Sequence, residues 1–425
     1  MTDAPPYLQG RTAFRVVVVF ATAYFLSYAM RAINAVIAPA LIADLQLSNA
    51  DLGLLSSAYF IGFGIMQLPI GVWLDHHGAR RTESALLLFG ALGAGIFASS
   101  STLAGVWVGR ALIGVGVSAC LMGALKAYRA WFPPERQSQL GSWMLVVGTI
   151  GALSSTVPVA LLLPIVGWRS IFWGVAGALL LAALLLFTQL KDVERAMATP
   201  LHSANRNDAG PGYLAIFRDP YFRRMALLGA VHQGGFMAMQ SLWAGPWMIH
   251  VLGLSVDRTS QVLFLFNSCL MLSYLGLSWW APRRISYDQR PGLPVLNVVT
   301  TGLLVSVAVQ VLMVALPYAW TWVLWIGFGV VITVTTLAQT HVSLAFPPGV
   351  AGRANSAFNL TLFIGAFSVQ WGIGLLVDLF ASLGSTTASA MRMAVACYLL
   401  VQIYALWMFI GNRKVVAPAW DAPSA

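Results

Sequence analysis

The sequence predicts an all-α polytopic membrane protein, with twelve transmembrane helices in two pseudo-symmetric six-helix bundles. Three observations predict it. Of 425 residues, 59% are hydrophobic and only 9% are charged, whereas a soluble domain carries roughly 25% charged residues. Mean hydropathy is +0.77. Apolar runs near the roughly 20 residues needed to cross a bilayer recur along the chain, and one polar stretch splits them into equal sets.

The runs cover 13–38, 50–73, 83–101, 104–128, 138–165, 170–190, 224–250, 258–281, 294–315, 318–343, 354–380 and 387–411. This gives an N-terminal bundle in 1–190, a cytoplasmic linker in 191–223 and a C-terminal bundle in 224–425. Within the linker, Asn205–Pro211 reads as flexible and Tyr213–Arg218 as a short interfacial helix. The 16 Trp and 39 Gly suit interfacial anchoring and close helix packing. Cys120, Cys269 and Cys397 lie inside apolar runs at spacings that match no zinc or disulfide framework. Residues 1–12 are polar, and no cleavable signal peptide is expected.

A net charge of +10 raises the possibility of nucleic-acid binding. The basic residues argue against it, because they stand in short gaps between apolar runs, as topology signals do. With a cytoplasmic N-terminus, the inside gaps hold Arg11, Arg80, Arg81, Arg129, Arg136, Arg223, Arg283, Arg284, Arg353, Arg413 and Lys414, among others. The outside gaps hold little beyond Arg169 and Arg258. Both termini are therefore expected in the cytoplasm, and the chain is expected as a monomer among the lipids of a bacterial inner membrane.

The halves resemble each other. Leu45–Ser48 follows the first span and Leu252–Ser255 the seventh; Phe132–Pro134 follows the fourth and Phe346–Pro348 the tenth. Two similar halves around a midplane cavity are the plan of a transporter that rocks one half against the other. Between spans two and three stands Gly71–Val72–Trp73–Leu74–Asp75–His76–His77–Gly78–Ala79–Arg80–Arg81. It reads as a tight turn with Gly at both ends. Its acid is placed to meet helix N-termini or an arginine of the other half, holding that face shut. A purely topology-setting loop is the other reading.

This loop resembles the signature of the major facilitator superfamily, Gly-x-Leu-Ala-Asp-Arg-x-Gly-Arg-Lys/Arg. Gly71, Asp75, Gly78 and Arg80 match it; Trp73, His76 and Ala79 depart from it. Arg110–Gly116 is similar to the Arg-x-x-x-Gly-x-Gly run of that family's fourth helix. Gly167–Trp168–Arg169 with Phe172 is similar to the start of its sixth. The resemblance implies alternating access, with Gly71, Asp75, Gly78, Arg80 and Arg81 in a gate.

Arg31 lies deep in the first span. An ionised group near the bilayer centre costs at least ~2.5 kcal/mol, so it is expected to face a cavity or a partner. No acid lies within the first span, and a cation lining a cavity is an anion site; snorkelling or bonding to helix carbonyls is the alternative. Arg31 also resembles the first-helix arginine of the organophosphate and organic-anion symporter branches. Two readings stand for Arg110, the second buried cation: a structural role, or joining Arg31 in a bidentate grip on a carboxylate. The phosphate-handling members of those branches carry a second arginine in helix seven; the stretch His232–Trp243 of span seven has none, which favours a carboxylate over a dianionic phosphate. Met30 and Val117 stand where proton-coupled anion members carry acids.

His232 and Asp378 are the remaining coupling candidates. Gln240 and Asn359 are the preferred cavity amides, and Tyr28 and Trp243 offer stacking surface. The leading expectation is a secondary active importer of a small organic monoanion, coupled to a proton or sodium. The alternatives are an exporter of amphipathic or siderophore-like compounds and a non-transporting sensor. Gly148, Gly151 and Pro158 match the drug-exporter pattern of helix five poorly. Neither an enzyme nor a cofactor is expected, since no nucleophile–base pair or metal cluster stands out.

Overall fold

The structure, a computed structural model, describes residues 7–197, 212–286, 293–413 and 415. The segment Asn205–Pro211 and Lys414 lie outside the described residues, as do Arg206 and Arg290, two further basic residues of the inside gaps.

The first part of the chain forms α1 (Gly10–Ala32), α2 (Asn34–Leu45), α3 (Asn49–Ser99), α4 (Leu103–Gly116), α5 (Cys120–Trp131), α6 (Pro134–Ser154), α7 (Val157–Gln189) and α8 (Lys191–Ala196). The second part forms α9 (Tyr213–Arg218), α10 (Pro220–Leu228), α11 (Gly235–Ala238), α12 (Ala244–His250), α13 (Val256–Arg284), α14 (Val295–Ala315), α15 (Trp322–Ile332), α16 (Thr336–Ala345), α17 (Pro348–Ser382) and α18 (Thr387–Gly411). A two-residue parallel pairing joins Ile285–Ser286 to Leu293–Pro294.

Each of the twelve expected spans is helical, and among the described residues ten helical stretches are long and apolar enough to cross a membrane. The differences have local causes. Spans two and three run on as α3, bent at Gly78, whose φ of 75° is left-handed. The expected turn therefore has glycine at one end only; Gly71 stays helical, with open space where a Cβ would sit. Spans five and six meet inside α7 at Gly167, with φ 73°. Span five itself breaks at Ser155–Thr156, where Pro158 cannot continue the ladder of α6 and instead opens α7. Span seven is interrupted by two π-helical turns, Gly229–Gly234 and Met239–Trp243.

Two compact units form. One comprises Met1–Gln46 with Ala58–Asn205, the other Leu47–Ser57 with Arg206–Ala425. In the first unit, glycines let helices touch backbone to backbone. A Cβ on Gly62 would strike the Ala111 carbonyl, one on Gly114 the Tyr59 carbonyl, and one on Gly116 the backbone of Gly90. The glycines of the Arg110–Gly116 run are thus required by the approach of α4 to both arms of α3. Arg169 pairs with Asp44, stacks 4.2 Å from the Trp168 ring and donates to the Ser100 carbonyl at 3.3 Å. In the second unit, Gln310 and Gln402 exchange hydrogen bonds of 2.9 and 2.8 Å, a buried pair joining α14 to α18. Large apolar side chains such as Phe14, Ile165, Trp279 and Trp407 are exposed, the outward face a helix shows to lipid.

Candidate functional site

In the first unit two cations, Arg31 and Arg110, lie around the end of α1. The last turn of α1 is fixed from three sides. Tyr59 of α3 donates to the Ser27 carbonyl at 3.3 Å, Ser155 to the Ala29 carbonyl at 2.8 Å, and Arg110 Nη2 to the Met30 carbonyl at 2.7 Å. Ser27 in turn donates to the Val117 carbonyl at 3.3 Å. Residues three apart share a helix face, so this anchored turn presents Tyr28 and Arg31 together.

The Arg31 guanidinium carbon lies 4.7 Å from the Tyr28 ring centre, 5.4 Å from Phe63 and 6.0 Å from Tyr59. Tyr28 leans edge-on against Tyr24, with ring centres 5.0 Å apart. The Arg110 guanidinium carbon is 5.1 Å from the same Tyr59 ring. One tyrosine is therefore shared by two cations, whose charge its π-face moderates. Arg110 is 1% exposed, and its Nε and Nη1 have no partner among the described residues. Arg31 and Tyr28 are only partly buried. The sequence-predicted Tyr28, Arg31 and Arg110 are thus brought together, with Arg31 at the accessible end and Arg110 anchored to backbone.

The second unit places Gln240, Trp243 and Asn359 in three separate hydrogen-bonded groups. Gln240 donates to Asn267 at 2.9 Å. Trp243 is buried and donates to the Gln370 carbonyl at 3.0 Å, while the Gln370 amide donates to Ser241 at 3.2 Å. Gln339 donates to Asn359 at 2.8 Å and to Asn355 at 3.1 Å. His232 is 1% exposed within the first π turn, and Gln240 and Trp243 lie in the second. Such turns re-aim side chains by one position and recur at functional sites.

Asp378 of α17 is occupied. Its carboxylate accepts from the Asn49 backbone at 3.1 Å, the Asn49 amide at 2.9 Å and the Ala50 backbone at 2.6 Å. It therefore caps the N-terminus of α3, where the helix dipole favours a negative charge. In the signature loop, Arg80 is 7% exposed, pairs with Glu194 of α8 at 2.6 Å and lies 4.7 Å from the Phe187 ring. Arg81 is exposed, and the Asp75 side chain lies outside what is described. A Cβ on Gly78 would come within 2.6 Å of Glu194 Oε1, so glycine there serves both the turn and this ion pair.

Sequence reasoning missed Tyr59, Phe63, Ser155 and Glu83. The first three sit in apolar runs and show no pattern that marks them as site residues. Glu83 was legible: residues 83, 87, 90, 94 and 97 follow a buried helical stripe, and Glu83 heads it with 0% exposure. Its place beside the polar loop masks this pattern in the sequence.

The family profile described as "Major Facilitator Superfamily" matches residues 20–370. A stretch of 158 residues is 30% identical to the hexuronate transporter of Escherichia coli (strain K12), covering 36% of this chain and 35% of that protein. The chain thus matches about a third of that relative's length. The putative tartrate transporter of Agrobacterium vitis is 23% identical over 389 residues, 85% of this chain and 84% of that one. The crystal structure of a bacterial homolog of the human lysosomal transporter Spinster, inward-facing and unoccupied, superposes with a TM-score of 0.74. It shares 16% identity and covers 98% of this chain and 100% of that one, so it shows the fold alone. With helices of this length and apolarity, this is an integral membrane protein, and it belongs to the major facilitator superfamily.

Proposed function

We propose that the chain is a secondary active transporter that imports a small organic anion of the carboxylate class by alternating access. The observation that carries this reading is Arg31. It is a partly buried cation set among Tyr28, Tyr59 and Phe63 on a helix turn that three neighbouring side chains hold in place. A guanidinium fork matches the two oxygens of a carboxylate, and the aromatic walls exclude water that would weaken the contact. The relatives whose names include hexuronate and tartrate support a carboxylate as substrate.

In this reading the protein is a monomer of a bacterial inner membrane, with both termini and the Gly71–Arg81 loop on the cytoplasmic side. Uptake is coupled to a proton or sodium gradient, and the loop, through Asp75, Arg80 and Arg81, takes part in gating. The test is uptake of labelled tartrate and of labelled hexuronates into proteoliposomes. Saturable uptake that either gradient accelerates supports the reading; efflux without uptake would favour an exporter.

A further inference from the structure

The first unit holds a fully buried acid that the reading above does not use. Glu83, near the start of the second arm of α3, is 0% exposed, and among the described residues neither carboxylate oxygen has a nitrogen or oxygen hydrogen-bond donor. Its pocket is closed by α5. A Cβ on Gly123 would fall on Glu83 Oε2, so the absent side chain there is what admits the carboxyl group. The titratable groups facing it are the Cys120 thiol and the Tyr128 phenol, which donates to the Met144 sulfur at 3.4 Å. On its own helix Arg80 is engaged with Glu194, and Arg81 is exposed. The span 168–189 of α7 carries a single ionisable residue, Arg169, which is paired with Asp44.

A carboxylate ion with no compensating charge and no nitrogen or oxygen donor among the described residues is strongly disfavoured in such surroundings, whereas the neutral acid fits. A permanent acid in such a place costs stability that a leucine would not. Glu83 also stands five residues beyond the Gly78 bend, about 7.5 Å along the axis at ~1.5 Å per residue, so a small opening of α3 from α5 would wet it.

We propose that Glu83 is a proton-binding site of the transport cycle. It holds a proton while its pocket is closed, as here. When the pocket opens, the carboxyl O–H bond breaks, the proton passes to cytoplasmic water, and the carboxylate remains until a proton returns. The proposal rests on the transport reading for the word cycle, but the proton site itself can be tested without a substrate.

The full-length protein in lipid nanodiscs is titrated with base while infrared difference spectra are recorded. The wild type is expected to show a protonated-carboxyl C=O band, lost on titration, that Glu83→Gln lacks. Identical spectra for the two would overturn the proposal. Should Glu83→Gln fail to fold, Cys120→Ser is used instead: a changed donor against the carboxyl shifts the band, and an unmoved band overturns the proposal. In proteoliposomes with tartrate as probe, Glu83→Gln is expected to keep counterflow exchange and lose accumulation driven by a pH gradient. Wild-type accumulation by this variant would also overturn the proposal. Absence of any tartrate or hexuronate counterflow in the wild type would instead count against the organic-anion reading, leaving the infrared result to decide on Glu83.

Discussion

Arg110 Nη2 donates to the carbonyl oxygen of Met30 at 2.7 Å, so a buried cation of α4 fixes the residue that precedes Arg31. The same guanidinium faces the Tyr59 ring on which Arg31 also bears. Arg110 thus acts as a positioning residue, setting where Arg31 stands.

That role predicts an asymmetric outcome for Arg110→Lys. The charge remains, but the fork that reaches the Met30 carbonyl is lost. A buried acceptor left unmet costs about 1–3 kcal/mol, so thermal unfolding should occur at lower temperature. KM for the transported anion should rise more than the maximal rate falls. Kinetics of labelled-anion uptake, alongside a thermal melt, check both. Unchanged KM with lowered stability would reduce Arg110 to scaffolding.

Tyr59 allows the ring to be separated from the hydroxyl. Tyr59→Phe loses a 3.3 Å bond to the Ser27 carbonyl but keeps the face shared by the two guanidiniums. Tyr59→Leu loses both. Cation–π contacts contribute from about 0.5 to 2 kcal/mol each, so the leucine variant should bind anion markedly more weakly than the phenylalanine variant. Equal affinities by titration calorimetry would contradict the shared-ring geometry.

Gly78→Ala tests the bend of α3. The positive φ with extended ψ at this position is essentially a glycine conformation and costs another residue about 1–3 kcal/mol, and the new Cβ would also press on Glu194 Oε1, 2.6 Å away. The thermal midpoint should fall, and Glu194→Gln should weaken the Arg80 contact without straining the backbone. Combining the two is expected to be less than additive, because the clash and the ion pair share one carboxylate. A fully additive double mutant would place the strain elsewhere.

Asp378→Asn should behave as the loss of a helix cap. Such losses cost about 0.5–2 kcal/mol, so the variant should melt earlier yet still accumulate substrate in a pH gradient. Loss of gradient-driven accumulation at wild-type stability would instead make Asp378 the proton carrier and displace Glu83 from that role.

Much of this was legible in the sequence. The spans were, because roughly 20-residue apolar runs have few alternatives to a membrane helix. The Gly78 and Gly167 bends lie in motifs that could be read, Asp75–Arg81 and Gly167–Arg169, although Gly71 proved helical. Arg31 stood out because charge in an apolar run is conspicuous. Its aromatic surroundings did not, since Tyr59 and Phe63 are common residues in such runs and become neighbours of Arg31 only once glycines such as Gly62 and Gly114 let α3 pack against α4. The capping of α3 by Asp378 joins residues 329 positions apart, and no local pattern announces such a contact. The two π turns of span seven leave no periodicity signal because the run is apolar nearly all round.

The central claim is that Arg31 receives a carboxylate, and titration calorimetry in nanodiscs tests it most directly. Wild-type protein should bind tartrate and not its uncharged diamide, Arg31→Lys should bind tartrate more weakly, and Arg31→Ala should not bind it measurably while remaining folded. Binding of tartrate by Arg31→Ala with wild-type affinity would contradict the account.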